Sequence, residues 1–221
     1  MSTTYVVADI HGRLDLLEAC LSRIEADSTT GRVIFTGDYI DRGPESAKVI
    51  QRMIDGPPES WKWVHIRGNH EDMMIDGIKD DDLQLWVLNG GKATLDSYKW
   101  DSEAIAPHVQ WMENLPRLHT DKLRVYTHAG VDNRYDISEQ PEQITQWYRY
   151  EQGADVGYRG LHVVHGHTPK ADGPELYRDR TNLDTGGFFT GRMCVGVFSD
   201  DVHGGPVRLI EVQPEVGEGT A

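Results

Sequence analysis

The chain has 221 residues, 38% of them hydrophobic and 26% charged, enough for one domain with a sizeable core; no apolar run approaches the roughly 18 residues of a membrane span, which excludes a membrane protein. Its 36 acidic against 22 basic residues leave a net charge of −14, which repels duplex nucleic acid and sets aside a DNA or RNA binder. Cations bound among the carboxylates would neutralise part of that balance.

Tyr5-Val6-Val7-Ala8 is a short apolar run that stops at Asp9 and His11-Gly12, the pattern of a buried strand ending in a polar turn. From Leu14 the apolar residues Leu14, Leu17, Leu21 and Ile24 keep the spacing of one helix face. A second strand, Arg32 to Phe35, runs into Gly37-Asp38 and Asp41-Arg42-Gly43-Pro44, where Pro44 suits the first turn of a helix reaching about Ile54. After Gly56-Pro57-Pro58, the strand Trp63 to Ile66 ends in Arg67-Gly68-Asn69-His70-Glu71 and completes a βαβαβ pattern. Residues 73–115 read as a helical insertion, with Asn89-Gly90-Gly91 closing one helix. Strands return at Leu123 to Tyr126 and Leu161 to Val164, each running into a His-bearing turn: Thr127-His128-Ala129-Gly130 and His165-Gly166-His167-Thr168. Two strand-like runs lie between Arg192 and Val212, and the acidic, Gly-bearing tail 214–221 is expected to fray. Cys20 and Cys194 stand alone in apolar surroundings as expected free thiols, and with no secretory pattern in Met1 to Tyr5 a cytoplasmic protein is expected.

Five strand ends thus carry metal-capable side chains, and ligands of open α/β sheets gather at the carboxyl ends of strands. These positions span Asp9 to His167, so they meet only if most of the chain is one folded unit, taken as residues 1–213. Asp9, His11, Asp38, Asn69, His128 and His167 offer only oxygen and nitrogen, a set suited to Mn, Fe, Zn or Co rather than to a thiolate-seeking metal. Six such donors exceed what one catalytic ion with open positions uses, so two divalent ions are indicated.

Asp9-Ile10-His11-Gly12, Gly37-Asp38-Tyr39-Ile40-Asp41-Arg42-Gly43 and Arg67-Gly68-Asn69-His70-Glu71, followed by His128-Ala129-Gly130 and His165-Gly166-His167-Thr168, resemble the phosphoprotein phosphatase family, and within it the compact bacterial and phage Ser/Thr phosphatases. The first three are similar to the family's GDxHG, GDxxDRG and GNHE signatures, with Ala8 in place of the first glycine. Trp147-Tyr148-Arg149 resembles a W-x-R segment that supplies a phosphate-binding arginine, and the likeness covers roughly residues 5–198. It implies an α/β calcineurin-like metallophosphoesterase, a β-sandwich of two mixed sheets flanked by helices. It further implies that Asp9, His11 and Asp38 hold one metal and that Asp38, Asn69, His128 and His167 hold the other, with Mn²⁺ foremost. His70 would be the general acid oriented by Asp41, while Arg42, Arg67 and Arg149 would grip phosphate. Two such ions acidify a shared water and stabilise phosphoryl oxygens during in-line displacement.

Taken one at a time the motifs have plainer readings, because Asp and Gly favour turns and Asn69 with Glu71 suits a helix start. Their order along the chain outweighs those readings. His65, His108, His119, His162 and His203 lack such context, His165 is expected beside the site without reaching metal, and Trp86, Trp111 and Trp147 are expected as core or groove walls. Asp184-Thr185-Gly186 is expected as a turn near the site. The leading expectation is a dinuclear phosphomonoesterase acting on phosphoserine and phosphothreonine in proteins. A diadenosine polyphosphate hydrolase is the alternative, disfavoured by Asp41, where such hydrolases tend to carry an ARG-type sequence. A silent metalloprotein that binds phosphorylated partners has no need of His70, Asp41 and Arg42.

Overall fold

The computed structural model describes residues 2–213; the tail 214–221 expected to fray lies outside the described residues. The chain opens with β1 (Thr3–Val7), α1 (Leu14–Asp27), β2 (Gly31–Phe35), α2 (Ser46–Asp55) and β3 (Trp61–His65). Four helices follow, α3 (Asn69–Lys79), α4 (Gln84–Trp86), α5 (Lys92–Ser97) and α6 (Ser102–Glu113). The second half holds β4 (Leu118–Thr120), β5 (Arg124–Thr127), α7 (Glu142–Trp147), β6 (His162–His165), β7 (Glu175–Leu176), β8 (Arg180–Asn182), α8 (Gly187–Thr190), β9 (Met193–Ser199) and β10 (Arg208–Val212).

The strands form two five-stranded mixed sheets, ordered β10-β9-β1-β2-β3 and β4-β5-β6-β8-β7. Strands β1, β2 and β3 run parallel in the first sheet, and β5, β6 and β8 in the second. Period-two alternation splits their side chains between layers. Tyr5, Val7, Val33 and Phe35 face the helices, where Leu17, Ile24, Val49 and Met73 complete the larger core. Val6, Ile34 and Phe198 of the first sheet meet Tyr126 and Val164 of the second in a dry layer, which is what makes the pair a sandwich. Cys20 and Cys194 are buried free thiols. Among the described residues no helix is long and apolar enough to cross a membrane.

Two local features differ from the sequence reading. Helix α2 begins at Ser46 rather than at Pro44, because Glu45 N still donates to Gly12 O at 2.9 Å and Ser46 Oγ accepts from Asp41 N at 3.1 Å. Asn89-Gly90-Gly91 closes a helix as expected: Gly90 is non-helical, with φ of 111°, and separates the helical turn that continues α4 from α5. That left-handed glycine lets its carbonyl accept from Arg42 N at 3.3 Å, tying the helical segment to the turn after β2. Strands β4, β7 and β8 have no counterpart in the sequence reading.

Candidate active site

Every parallel strand but one delivers its expected residue at the same edge of the sandwich: Asp9 and His11 after β1, Asp38 after β2, Asn69 after β3, His128 after β5 and His167 after β6. Asp9, His11, Asp38, Asp41, Arg42 and His167 all hold φ between 39° and 73°, a conformation unfavourable for residues with a Cβ. Such strain costs about 1–3 kcal/mol per residue and persists only where the surroundings impose it. Here the turns interlock, with Ile10 N and His11 N donating to Asp38 O at 2.9 and 2.8 Å. The buried carboxylate of Glu71 accepts from Asp38 N at 2.9 Å, Tyr39 N at 2.8 Å and Gly68 N at 2.8 Å, so the start of α3 clamps the turn after β2. Ala8 has no positive φ, so alanine is accommodated where the family signature has glycine.

The ligating atoms converge in two sets that share Asp38: His11, Asp38 and His70, and Asp38, His128 and His167. Asp38 Oδ2 lies 3.6 Å from His11 Nε2, and its Oδ1 lies 3.4 Å from His128 Nε2. Asn69 Oδ1 joins the second set, 2.8 Å from His128 Nε2 and 3.1 Å from His167 Nδ1. His11 Nδ1 donates to Ile40 O at 2.9 Å and His128 Nδ1 to Thr36 O at 3.0 Å, which leaves each Nε2 as a lone pair facing the cluster. Burial keeps His11 well below the usual imidazole range, lowers His128 and takes His167 down to about 3, which favours the neutral ring, the form that ligates.

These residues fit divalent cations. His128 Nε2, Asn69 Oδ1 and Asp38 Oδ1 are acceptors pointed at one another, an arrangement that a bound cation relieves. Asp9 is buried beside them, but its carboxylate accepts from His167 N at 3.0 and 3.1 Å and is not among the converging atoms. Burial, then the charges of Asp184 and Asp38, push Asp9 well above the ordinary carboxylate range; burial likewise lifts Asp184 to about 6. Three buried carboxylates in one cluster call for positive charge.

Around this floor lies a cavity of about 270 Å³, walled by Trp147 and Phe188 and bordered by Arg42, His70, Asn89 and Arg149. His70 Nδ1 is 2.6 Å from Asp41 Oδ2; burial opposes its charging, but Asp38 and Asp41 outweigh burial and raise its pKa. Arg42 spans both rings, 2.6 Å from His11 Nε2 and 2.9 Å from His70 Nε2, with its guanidinium 4.8 Å from the Phe188 ring centre. Arg67 is not brought to the cavity: Nε sits 2.9 Å from Asp72 Oδ1 and the fork reaches the carbonyl of Glu113 at 3.2 Å, so its expected role as a phosphate grip is not met by this geometry. His165 points away, with Nε2 taken by Arg180 at 2.9 Å. Phe188 lines the cavity without having been singled out for it, since nothing in its local sequence separates it from packing residues, and Asn89, read as part of a helix end, lines it too.

The family model of the calcineurin-like phosphoesterases matches residues 2–185. The chain belongs to that family. A calcineurin-like phosphoesterase is a metal-dependent phosphoester hydrolase, and the two donor sets are where this chain could hold divalent ions. The serine/threonine-protein phosphatase 2 of Salmonella typhimurium is 29% identical over 206 residues, covering 86% of this chain and 89% of that protein. A symmetrical bis(5'-nucleosyl)-tetraphosphatase of Coxiella burnetii is 30% identical over 146 residues, 62% of this chain but 44% of that protein. The crystal structure of a protein provisionally assigned as a diadenosine tetraphosphatase superposes with a TM-score of 0.72 at 20% identity, over 98% of this chain and 95% of the other, a likeness of fold.

Proposed function

We propose that this phosphoesterase hydrolyses phosphomonoesters of serine and threonine in proteins, with two divalent cations, manganese foremost, held by Asp9, His11 and Asp38 and by Asp38, Asn69, His128 and His167. Bound there, the cations would supply Lewis-acid stabilisation of phosphoryl oxygens and acidify water. The observation that carries the reading is the His70–Asp41 pair at the cavity edge, 2.6 Å apart. A serine or threonine alkoxide leaves poorly, and a dyad that keeps a proton on His70 supports a leaving-group acid, an effect of roughly 10²- to 10⁴-fold. A phosphoanhydride, with its better leaving group, needs that acid less. Asp41 accepts from His70 Nδ1, so Nε2, which Arg42 faces at 2.9 Å, would turn to the departing oxygen once phosphate draws that guanidinium away.

Arg42 and Arg149 would hold the non-bridging oxygens with planar forks. The lone pair of His11 Nε2, which Arg42 faces at 2.6 Å, cannot serve both a cation and Arg42, so a cation held there would leave that guanidinium available for phosphate. Trp147 and Phe188 would flank a side chain bearing phosphate in the cavity.

Parallel turnover of a phosphoserine peptide and of diadenosine tetraphosphate by the Mn²⁺-loaded protein tests the substrate class. The expected result is a kcat/KM for the peptide at least about tenfold higher. The reverse order would assign the dinucleotide reading, and tight peptide binding with no turnover of either would assign a silent binder.

A further inference from the structure

Asp41 has more partners than a dyad requires. Trp86 Nε1 donates to both carboxylate oxygens, each at 2.9 Å, and Thr94 Oγ1 donates to Oδ1 at 2.7 Å while accepting from Asp41 N at 2.9 Å. All four side chains, Asp41, His70, Trp86 and Thr94, are 0–2% exposed. Trp86 and Thr94 come from α4 and α5, whereas Asp41 and His70 come from the turns after β2 and β3. An indole N–H can only donate, and the Thr94 hydroxyl accepts from Asp41 N while its one proton goes to Oδ1, so both hold the carboxylate as an acceptor, the state that takes the proton of His70 Nδ1. The indole also fits tightly, since a Cβ on Gly91 would lie 2.6 Å from it.

We infer that Trp86 and Thr94 are positioning residues for proton delivery to the leaving group: they orient Asp41 and so set the tautomer and aim of His70. Asp41 sits at φ of 73°, and without these donors its carboxylate is free to rotate away from Nδ1. The inference rests on the proposed role of His70 as general acid. It assigns to the helical segment 84–97 a task in the chemistry besides framing the cavity.

A merely structural role would lower turnover of every substrate alike, whereas loss of leaving-group protonation hits poor leaving groups selectively. The Mn²⁺-loaded Trp86→Phe, Thr94→Val, Thr94→Ser and His70→Asn proteins are therefore compared with the wild type on a phosphoserine peptide and on p-nitrophenyl phosphate. Trp86→Phe and Thr94→Val are expected to lose about 10- to 100-fold in kcat on the peptide and less than about 3-fold on the aryl ester, with Thr94→Ser restoring the peptide rate. Thr94→Val is isosteric and keeps the test open if the larger change at Trp86 fails to fold. Equal losses on both substrates, or none on either while His70→Asn discriminates, would overturn the inference. Equal losses on both in His70→Asn itself would overturn the general-acid reading, and this inference with it.

Discussion

His70 Nδ1 lies 2.6 Å from Asp41 Oδ2, and both residues are buried, His70 at the cavity edge. Burial disfavours the imidazolium, yet Asp38 and Asp41 together hold the His70 pKa above 6.5. The proton is present below that raised value and is lost as pH rises through it. In the metal-stripped protein the His70 ring is expected to titrate above about 6.5 by NMR, and Asp41→Asn, which removes one of the raising charges and leaves the burial, is expected to bring it down.

Asp38 is the only carboxylate common to both donor sets. Asp38→Asn is therefore expected to weaken both metal sites, whereas His128→Ala should weaken one. Calorimetric titration with Mn²⁺ checks this: the wild type should take up two ions per chain, His128→Ala one tight ion, and Asp38→Asn none tightly. Saturating metal should also raise the Tm of the wild type, each filled site contributing about 2.7 kcal/mol of stabilisation at a hundredfold excess over its Kd.

Arg149 and Arg67 separate function from stability. Arg149 lines the cavity at an exposed position, while Arg67 is packed against Asp72, with side-chain exposures of 11% and 8% for the pair. Arg149→Ala is expected to lower kcat/KM for a phosphopeptide by roughly 10- to 150-fold with an unchanged Tm. Arg67→Ala is expected to cost roughly 1–3 kcal/mol, because Asp72 is left with Arg117 alone, 3.5 Å away.

Two histidines away from the metal ligands set an acid limb of stability. Burial depresses His65 to about 4, and burial, chiefly, takes His162 to about 4 as well. Both are neutral in the folded state, while the unfolded chain binds their protons near 6.5, so their contribution is full above pH 6.5 and is lost as pH falls from there toward 4. His65 Nε2 has no partner and its ring stacks on Phe35 at 5.4 Å, so His65→Phe is expected to flatten the decline of Tm over that window.

Much of this was legible because each early strand is a short apolar run that stops at a polar cluster, so β1, β2, β3, β5 and β6 and the residues beyond them stand out at once. What escaped is polar and buried. Strand β8 is Arg180-Thr181-Asn182, and no hydrophobic pattern marks it: Arg180 is 2% exposed because Tyr150 and Tyr177 flank its guanidinium, Ala154 O accepts from it, and it donates to His165. Asp184, at the end of β8, was visible only as part of a turn for the same reason. Trp86 has the helical spacing of a core residue and is one, and only the fold reveals that its N–H is spent on Asp41. Arg67 has the opposite history: the resemblance implied a grip on phosphate, but the chain enters α3 so that its side chain lies along α6.

The central claim is that this site releases phosphate from a phosphomonoester by means of the cations its two donor sets hold. Chelator-stripped protein incubated with a phosphoserine peptide, with Mn²⁺ then added back stepwise, tests it most directly. The expected result is no phosphate without metal and release that rises to a plateau near two ions per chain. Release that persists in the stripped protein, or none when both sites are filled, would contradict it.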